Sequence, residues 1–204
     1  MTRNEYALRV AKFFRIITLA PVVAFFLVSK LFFGDPACFG GTKNYVFSII
    51  FIVIFPLLGY PLQLIMPKFK GRENQRNLAI LTAIIGYIFA VLYGFLFRVP
   101  KLLIIIFLTY FISGFGIIVS NKIFRIKASG HACGAVGSAV MCVYVSEISP
   151  MLCIINFCLI SAVFWSSLKL ARHNIWQLFL GSMVSVSSFL ISIKIQILSN
   201  FLST

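Results

Sequence analysis

The sequence predicts an all-α, polytopic membrane protein, a bundle of six to seven spanning helices forming one integral-membrane domain over residues 1–204. Three observations carry this. Of the 204 residues, 61% are hydrophobic and only 11% are charged, against roughly 25% charged in a soluble domain. The mean hydropathy is +1.04. Apolar runs of about 20 residues recur along the chain, the length that carries a helix across the hydrocarbon layer. The loops between them are too short for a soluble domain.

The elements follow in order. Residues 1–15 form an amphipathic lead-in carrying Arg3, Arg9, Lys12 and Arg15. The apolar run behind it has no small-x-small cleavage site, so it reads as a retained first span over about 14–33. Span two covers about 44–66, with kinks expected at Pro56 and Pro61. The most polar loop follows, Pro67 to Arg76. Span three is about 77–97 and span four about 102–121, separated by the turn Arg98-Val99-Pro100-Lys101. Span five, about 130–147, bears a stripe of small residues (Gly130, Gly134, Gly137, Ser138) where a neighbouring helix can approach closely. Glu147 and Pro150 mark its end. Span six covers about 151–170 and span seven about 175–198. Lys194, near the end of span seven, snorkels.

The chain carries 18 Lys and Arg against 4 Asp and Glu, a net charge of +14. On a soluble protein this would point to nucleic acid. Here the charges sit in short loops and at helix ends, so they read as positive-inside bias, with an anionic lipid headgroup as a second use; no nucleic-acid partner is expected. With seven spans, the N-terminus and the loops 67–76, 122–130 and 171–174 share one face. That face holds thirteen of the eighteen basic residues and both histidines. The rule puts that face on the cytoplasmic side of a cell membrane, while the opposite face stays open because an anion site gathers cations for its own reasons. The five cysteines show no C-x-x-C spacing and read as small buried hydrophobes.

The two histidines each sit where a charged turn becomes an apolar helix. His131 lies in Lys127-Ala128-Ser129-Gly130-His131, and His173 lies in Arg172-His173-Asn174, 42 residues on. Ser129 is placed to cap the helix that follows, which aims its N-terminal N–H groups at the loop, a setting suited to phosphate. Gly130 allows a close backbone approach. Lys122, Arg125, Lys127 and Arg172 add positive charge, and arginine can hold two phosphoryl oxygens at once. Phosphate-ester hydrolysis needs a nucleophile, a cationic cradle and an acid for the leaving oxygen. These residues can supply all three.

Ser129-Gly130-His131, followed after 34 residues by Ser166-x6-His173, resembles the phosphatidic acid phosphatase type 2 superfamily. That superfamily carries Lys-x6-Arg-Pro, Pro-Ser-Gly-His and Ser-Arg-x5-His-x3-Asp. The loop Gly71 to Arg76 and the span after it look like small bacterial membrane members, so the resemblance covers about residues 65–185. It implies a lipid phosphate or pyrophosphate substrate, with no metal or cofactor. It makes His173 the nucleophile that becomes phosphohistidine, His131 the acid, and Ser129 and Gly130 ligands of the phosphoryl oxygens.

The chain departs from the pattern at four places. The first motif is absent, with Lys122, Arg125 and Lys127 as stand-ins. Ala128 replaces a proline and Ser167 an arginine. Gln177 stands where an aspartate orients the nucleophile; a glutamine carbonyl can accept the same hydrogen bond but brings no charge. Glu73, on the same face, is a second candidate for that role. A non-catalytic lipid-phosphate binder or transporter that retains the fold is the alternative.

Overall fold

The computed structural model describes residues 3–65, 71–146 and 148–201. It is all-helical, with no strand among those residues. The part of the polar loop at 66–70 and Glu147 lie outside them. Five helical stretches are long and apolar enough to cross a membrane: Thr42–Ile65, Glu73–Leu96, Lys101–Ile123, Pro150–Lys169 and Ile175–Ser199. The N-terminal pair makes a sixth if counted as one broken span. Their outer faces carry Phe, Leu, Ile and Trp side chains exposed to the surroundings, Phe33, Phe95, Phe157 and Leu198 among them. Such a surface fits a multi-pass protein in a lipid bilayer.

The first expected span is not one helix. Helix α1 (Arg3–Ile17) ends at Thr18, whose hydroxyl donates to the Phe14 carbonyl at 2.7 Å. Leu19 is extended, and Pro21 sits in the first turn of α2 (Ala20–Gly34). Proline suits that turn because it has no N–H to lose there. The two helices meet at 52°. α1 packs on the last turns of α8 (Pro150–Lys169): Phe14 meets Trp165 edge-on at 6.1 Å, and Lys169 Nζ donates to Asn4 at 3.2 Å. α2 runs beside α7 (Gly130–Val145) from end to end. Ala20 faces Gly134, and Lys30 Nζ donates to Ser146 Oγ at 2.7 Å beyond the helix end.

α7 has 16 residues, about 24 Å at 1.5 Å per residue, shorter than the expected span five. It lies within the bundle, with Ala132, Ala135, Met141 and Cys142 buried. Its small-residue stripe is used for packing: Gly134 faces Ala20 and Gly137 faces Ser185 of α9 (Ile175–Phe201). α9 meets α7 and α6 (Lys101–Ile118) with small serines. Ser182, Ser185, Ser188 and Ser192 are buried, and each donates to a carbonyl one turn back in its own helix. A polar helix face thereby becomes internally satisfied and close-packing.

Two stretches widen into π-helical geometry. The first, Ile49–Ile54, links α3 (Thr42–Ser48) to α4 (Phe55–Ile65), with Phe55 N–H bonded to Ile50 O, five residues back. It ends two residues before Pro56, a residue that cannot donate to the helical ladder. The second, Val119–Ile123, extends α6 toward the basic loop, with Phe124 N–H bonded to Val119 O at 3.1 Å. α5 (Arg72–Leu96) packs against both α4 and α6.

Candidate functional site

The ends of several elements converge on one cavity of about 1110 Å³. Its mouth is lined by Arg15 of α1, Glu73 and Arg76 of α5, and Asn121, Arg125 and Lys127 after α6. Gly130 and His131 of α7 and Ala171, Arg172 and His173 after α8 complete it. Deeper, it runs along α7 as far as Met141, about 15 Å below His131. On the way it passes Ile117, Ala83, Ile84 and Tyr87. Three hydroxyls lining it are engaged: Thr109 donates to Ile105 O at 2.7 Å, and Tyr110 and Ser138 bond each other at 3.1 Å. The cavity is cationic at one end and presents apolar surface at the other.

Local backbone geometry delivers the histidines. Ser129 caps α7, its Oγ accepting Ala132 N–H at 3.3 Å. Its own N–H donates to the Gln177 carbonyl at 3.0 Å, tying the start of α7 to the first turn of α9. The next close contact of that pair is at Gly181, one turn further along α9. A Cβ there would overlap the Ser129 carbonyl oxygen. At the other side, α8 ends with Ala171 at φ 48° and Arg172 N–H bonded to Ser167 O at 3.0 Å. This left-handed turn caps the helix and reverses the chain, bringing Arg172 and His173 to the cavity. Arg125, also lining the mouth, has φ 54°. Two of the three non-glycine residues with positive φ among the described residues therefore border this cavity. Backbone strain of this kind concentrates at functional sites.

His173 Nδ1 lies 3.0 Å from Gln177 Oε1. An amide oxygen only accepts, so Nδ1 carries the proton and Nε2 is left with its lone pair. Burial pushes the His173 pKa below its ordinary value; the Gln177 hydrogen bond opposes this, and the charges of Arg15, Lys127 and Arg76 push it further down. His131 is an electrostatic neighbour of both His173 and Arg15, and its Nε2 is buried without a partner.

The structure gathers His131, His173, Gly130, Lys127, Arg125 and Arg172 in this cavity. It places Ser129, Lys122 and Glu73 differently, and gives Gly130 a different role from the one expected. Ser129 is fully buried and does not line the cavity, so its hydroxyl serves the helix cap. Gly130 is exposed, and a Cβ there would meet nothing within 4 Å, so no close approach at this position requires glycine. Lys122 is exposed and outside the lining, because the π-helical end of α6 turns it away. Glu73 borders the mouth but is 79% exposed and faces Arg76, 3.9 Å away; the orienting partner of His173 is Gln177.

Two contributors, Arg15 and Gly181, were missed from sequence, and Arg76 was met there only within the loop Gly71 to Arg76. Arg15 lies far from the motifs in the chain. Gly181 stands one helical turn after Gln177, a spacing that marks the same face. Trp165 and Trp176 flank the site loop; Trp176 is 74% exposed, as an interfacial aromatic would be. Among the described residues no three His, Cys, Asp or Glu gather as a metal site. No protein-family model matches the chain, and no curated protein or solved structure matches it.

Proposed function

We propose that this protein is an integral-membrane phosphatase that hydrolyses a lipid phosphate or pyrophosphate through a phosphohistidine. The observation that carries the reading is the meeting of its two histidines in one cation-lined cavity, with His173 Nδ1 held by Gln177 and Nε2 available. His173 Nε2 attacks phosphorus as the bond to the leaving oxygen breaks, and His131 gives that oxygen its proton. Water then attacks the phosphohistidine, His131 takes a proton from it, and inorganic phosphate leaves with His173 restored. Lys127, Arg125 and Arg172 hold the phosphoryl oxygens beside the uncapped N–H groups at the start of α7.

The apolar depth of the cavity supports an amphiphilic substrate. Candidates are phosphatidic acid, phosphatidylglycerol phosphate, an isoprenyl pyrophosphate and a glycolipid phosphate. The basic end supports a cytoplasmic site in a bacterial cell membrane; cysteine labelling that places residue 70 outside would reverse that orientation.

Gln177 favours one competing reading, a non-catalytic lipid-phosphate binder or transporter. A neutral partner gives less stabilisation to a charged imidazole than a carboxylate. The deciding experiment is phosphate release from a panel of lipid phosphates and pyrophosphates by purified protein, beside His173→Ala and His131→Ala. Loss in both variants supports the histidine mechanism. Silence from the wild type, with lipid phosphate still bound, supports the binder.

A further inference from the structure

Among the described residues five cations line the cavity mouth, Arg15, Arg76, Arg125, Lys127 and Arg172, with one carboxylate, Glu73. Glu73 already faces Arg76. Three of the five come from the loops that carry the histidines. Arg15 comes from α1, fifty residues before the family-like core begins, on a helix that reads from sequence as a surface lead-in.

Its position is built rather than incidental. The bend after Ile17 fixes where α1 ends, and the Thr18 hydroxyl bond to Phe14 O closes that last turn. Phe14, the neighbouring residue, is set against Trp165 of α8. On the far side of the bend, Ala20 is held against Gly134, one turn below His131. Arg15 is therefore gripped between the helix that ends at His173 and the helix that begins at His131. It is half-buried, and its charge acts on both imidazoles.

We propose that Arg15 is a phosphoryl-oxygen ligand of this site, so that α1 is part of the anion-binding machinery rather than a membrane anchor alone. The inference rests on the site binding a phosphoryl group, and it holds for an enzyme or a binder. Arginine suits the task because its planar fork meets two oxygens at once and its charge does not titrate. Two other α1 cations, Arg9 and Lys12, are exposed and do not line the cavity.

The test uses the full chain in detergent micelles with inorganic phosphate as the probe, followed by thermal shift and by phosphorus NMR. Arg15→Gln is expected to weaken phosphate binding by roughly ten- to hundredfold, the effect of removing a charge-assisted hydrogen bond. Its melting midpoint without phosphate should stay near that of the wild type. Arg15→Lys, which keeps the charge and the stem, should recover part of the affinity and guards against a misfolded glutamine variant. Arg9→Gln should bind as the wild type does. Equal binding by Arg15→Gln and wild type overturns the inference, as does an equal loss in Arg9→Gln, or no phosphate binding by the wild type. Phosphate binding that depends on Arg15, in a protein that releases no phosphate from any substrate, would support the inference and defeat the phosphatase reading.

Discussion

Gly181→Ala is the most direct test of how the two halves of the site are held together. A Cβ on Gly181 would fall roughly 1 Å inside the ordinary C···O contact of about 3.3–3.6 Å with the Ser129 carbonyl. It would also stand 3.1 Å from the Ser129 carbonyl carbon and nitrogen. Every obstructing atom is backbone, so no side chain can rotate away, and the start of α7 must separate from α9. Overpacking of this kind costs about 1–3 kcal/mol, and the backbone clash places it near 3. Alanine returns about 1 kcal/mol of helix propensity, leaving a net loss of about 2 kcal/mol. At roughly 2–4 °C per kcal/mol for a chain of this size, the melting midpoint should fall by about 4–8 °C. The same displacement stretches the Ser129 N–H bond to Gln177 O and moves His131 away from His173. A 1 Å misplacement costs about a hundredfold in rate. The assay is thermal unfolding in detergent together with phosphate release. Gly34→Ala is the control, since a Cβ there meets nothing within 4 Å. A Gly181→Ala protein matching the wild type in both readouts would refute the reasoning, as would an equal fall in Gly34→Ala.

Other expectations follow from the same geometry. On the proposed mechanism His173 attacks only when neutral, so phosphate release should fall as pH drops through its folded-state pKa. The groups facing it are Arg15, Arg76, Lys127, His131 and the adjacent Arg172. Each positive charge disfavours the imidazolium, so Lys127→Gln or Arg76→Gln should move the acid limb of the pH–rate profile to higher pH. The stability sign agrees: with the folded pKa below the unfolded one, the unfolded chain binds more protons, and His173 costs stability as pH falls. Ala83→Phe, which fills the apolar depth of the cavity, should raise KM severalfold for long-chain lipid phosphates while sparing a short water-soluble monoester. Equal effects on both substrates would count against a tail in that space. Ala171→Gly relieves an alanine held at φ 48° and should stabilise the protein by about 0.5–1 kcal/mol, read as a higher melting midpoint.

Much of the bundle was legible because its punctuation is local. Asp35-Pro36, Pro100, Ser129 and Ser149-Pro150 stop or start helices close to where sequence placed them. The break at Thr18–Leu19 was not, because it lies within a continuous apolar run. Its signal was Pro21, which belongs in a first turn and not in mid-span. The histidine pair was legible because both residues sit at charge-to-apolar junctions. Arg15 was not, and Arg76 stood out only as part of the loop Gly71 to Arg76, since nothing local distinguishes a cavity-lining arginine from one at the headgroups. Their roles depend on where α1 and α5 end in space. Glu73 misled for the same reason: sharing a face of the membrane brought it to the mouth of the cavity, but its nearest charge is Arg76 on its own helix turn.

The cations also bear on why a glutamine can stand beside His173. A carboxylate at Gln177 would favour the imidazolium and lower the fraction of neutral nucleophile at pH 7. With burial and the charges of Arg15, Lys127 and Arg76 acting the other way, the ring stays neutral in the tautomer that exposes Nε2. Gln177 fixes that tautomer through the 3.0 Å bond without adding charge. On the proposed mechanism the site gives up stabilisation of the positive charge that would develop on the imidazole as phosphorus is attacked. The phosphoryl group would bring its own negative charge into contact with that ring, and the surrounding cations would neutralise the rest of it. The amide is therefore compatible with turnover where the cradle is rich in cations, and more damaging where it is poor. On this argument the mouth charges and Gln177 form one electrostatic unit, and a change at either shifts the demand on the other.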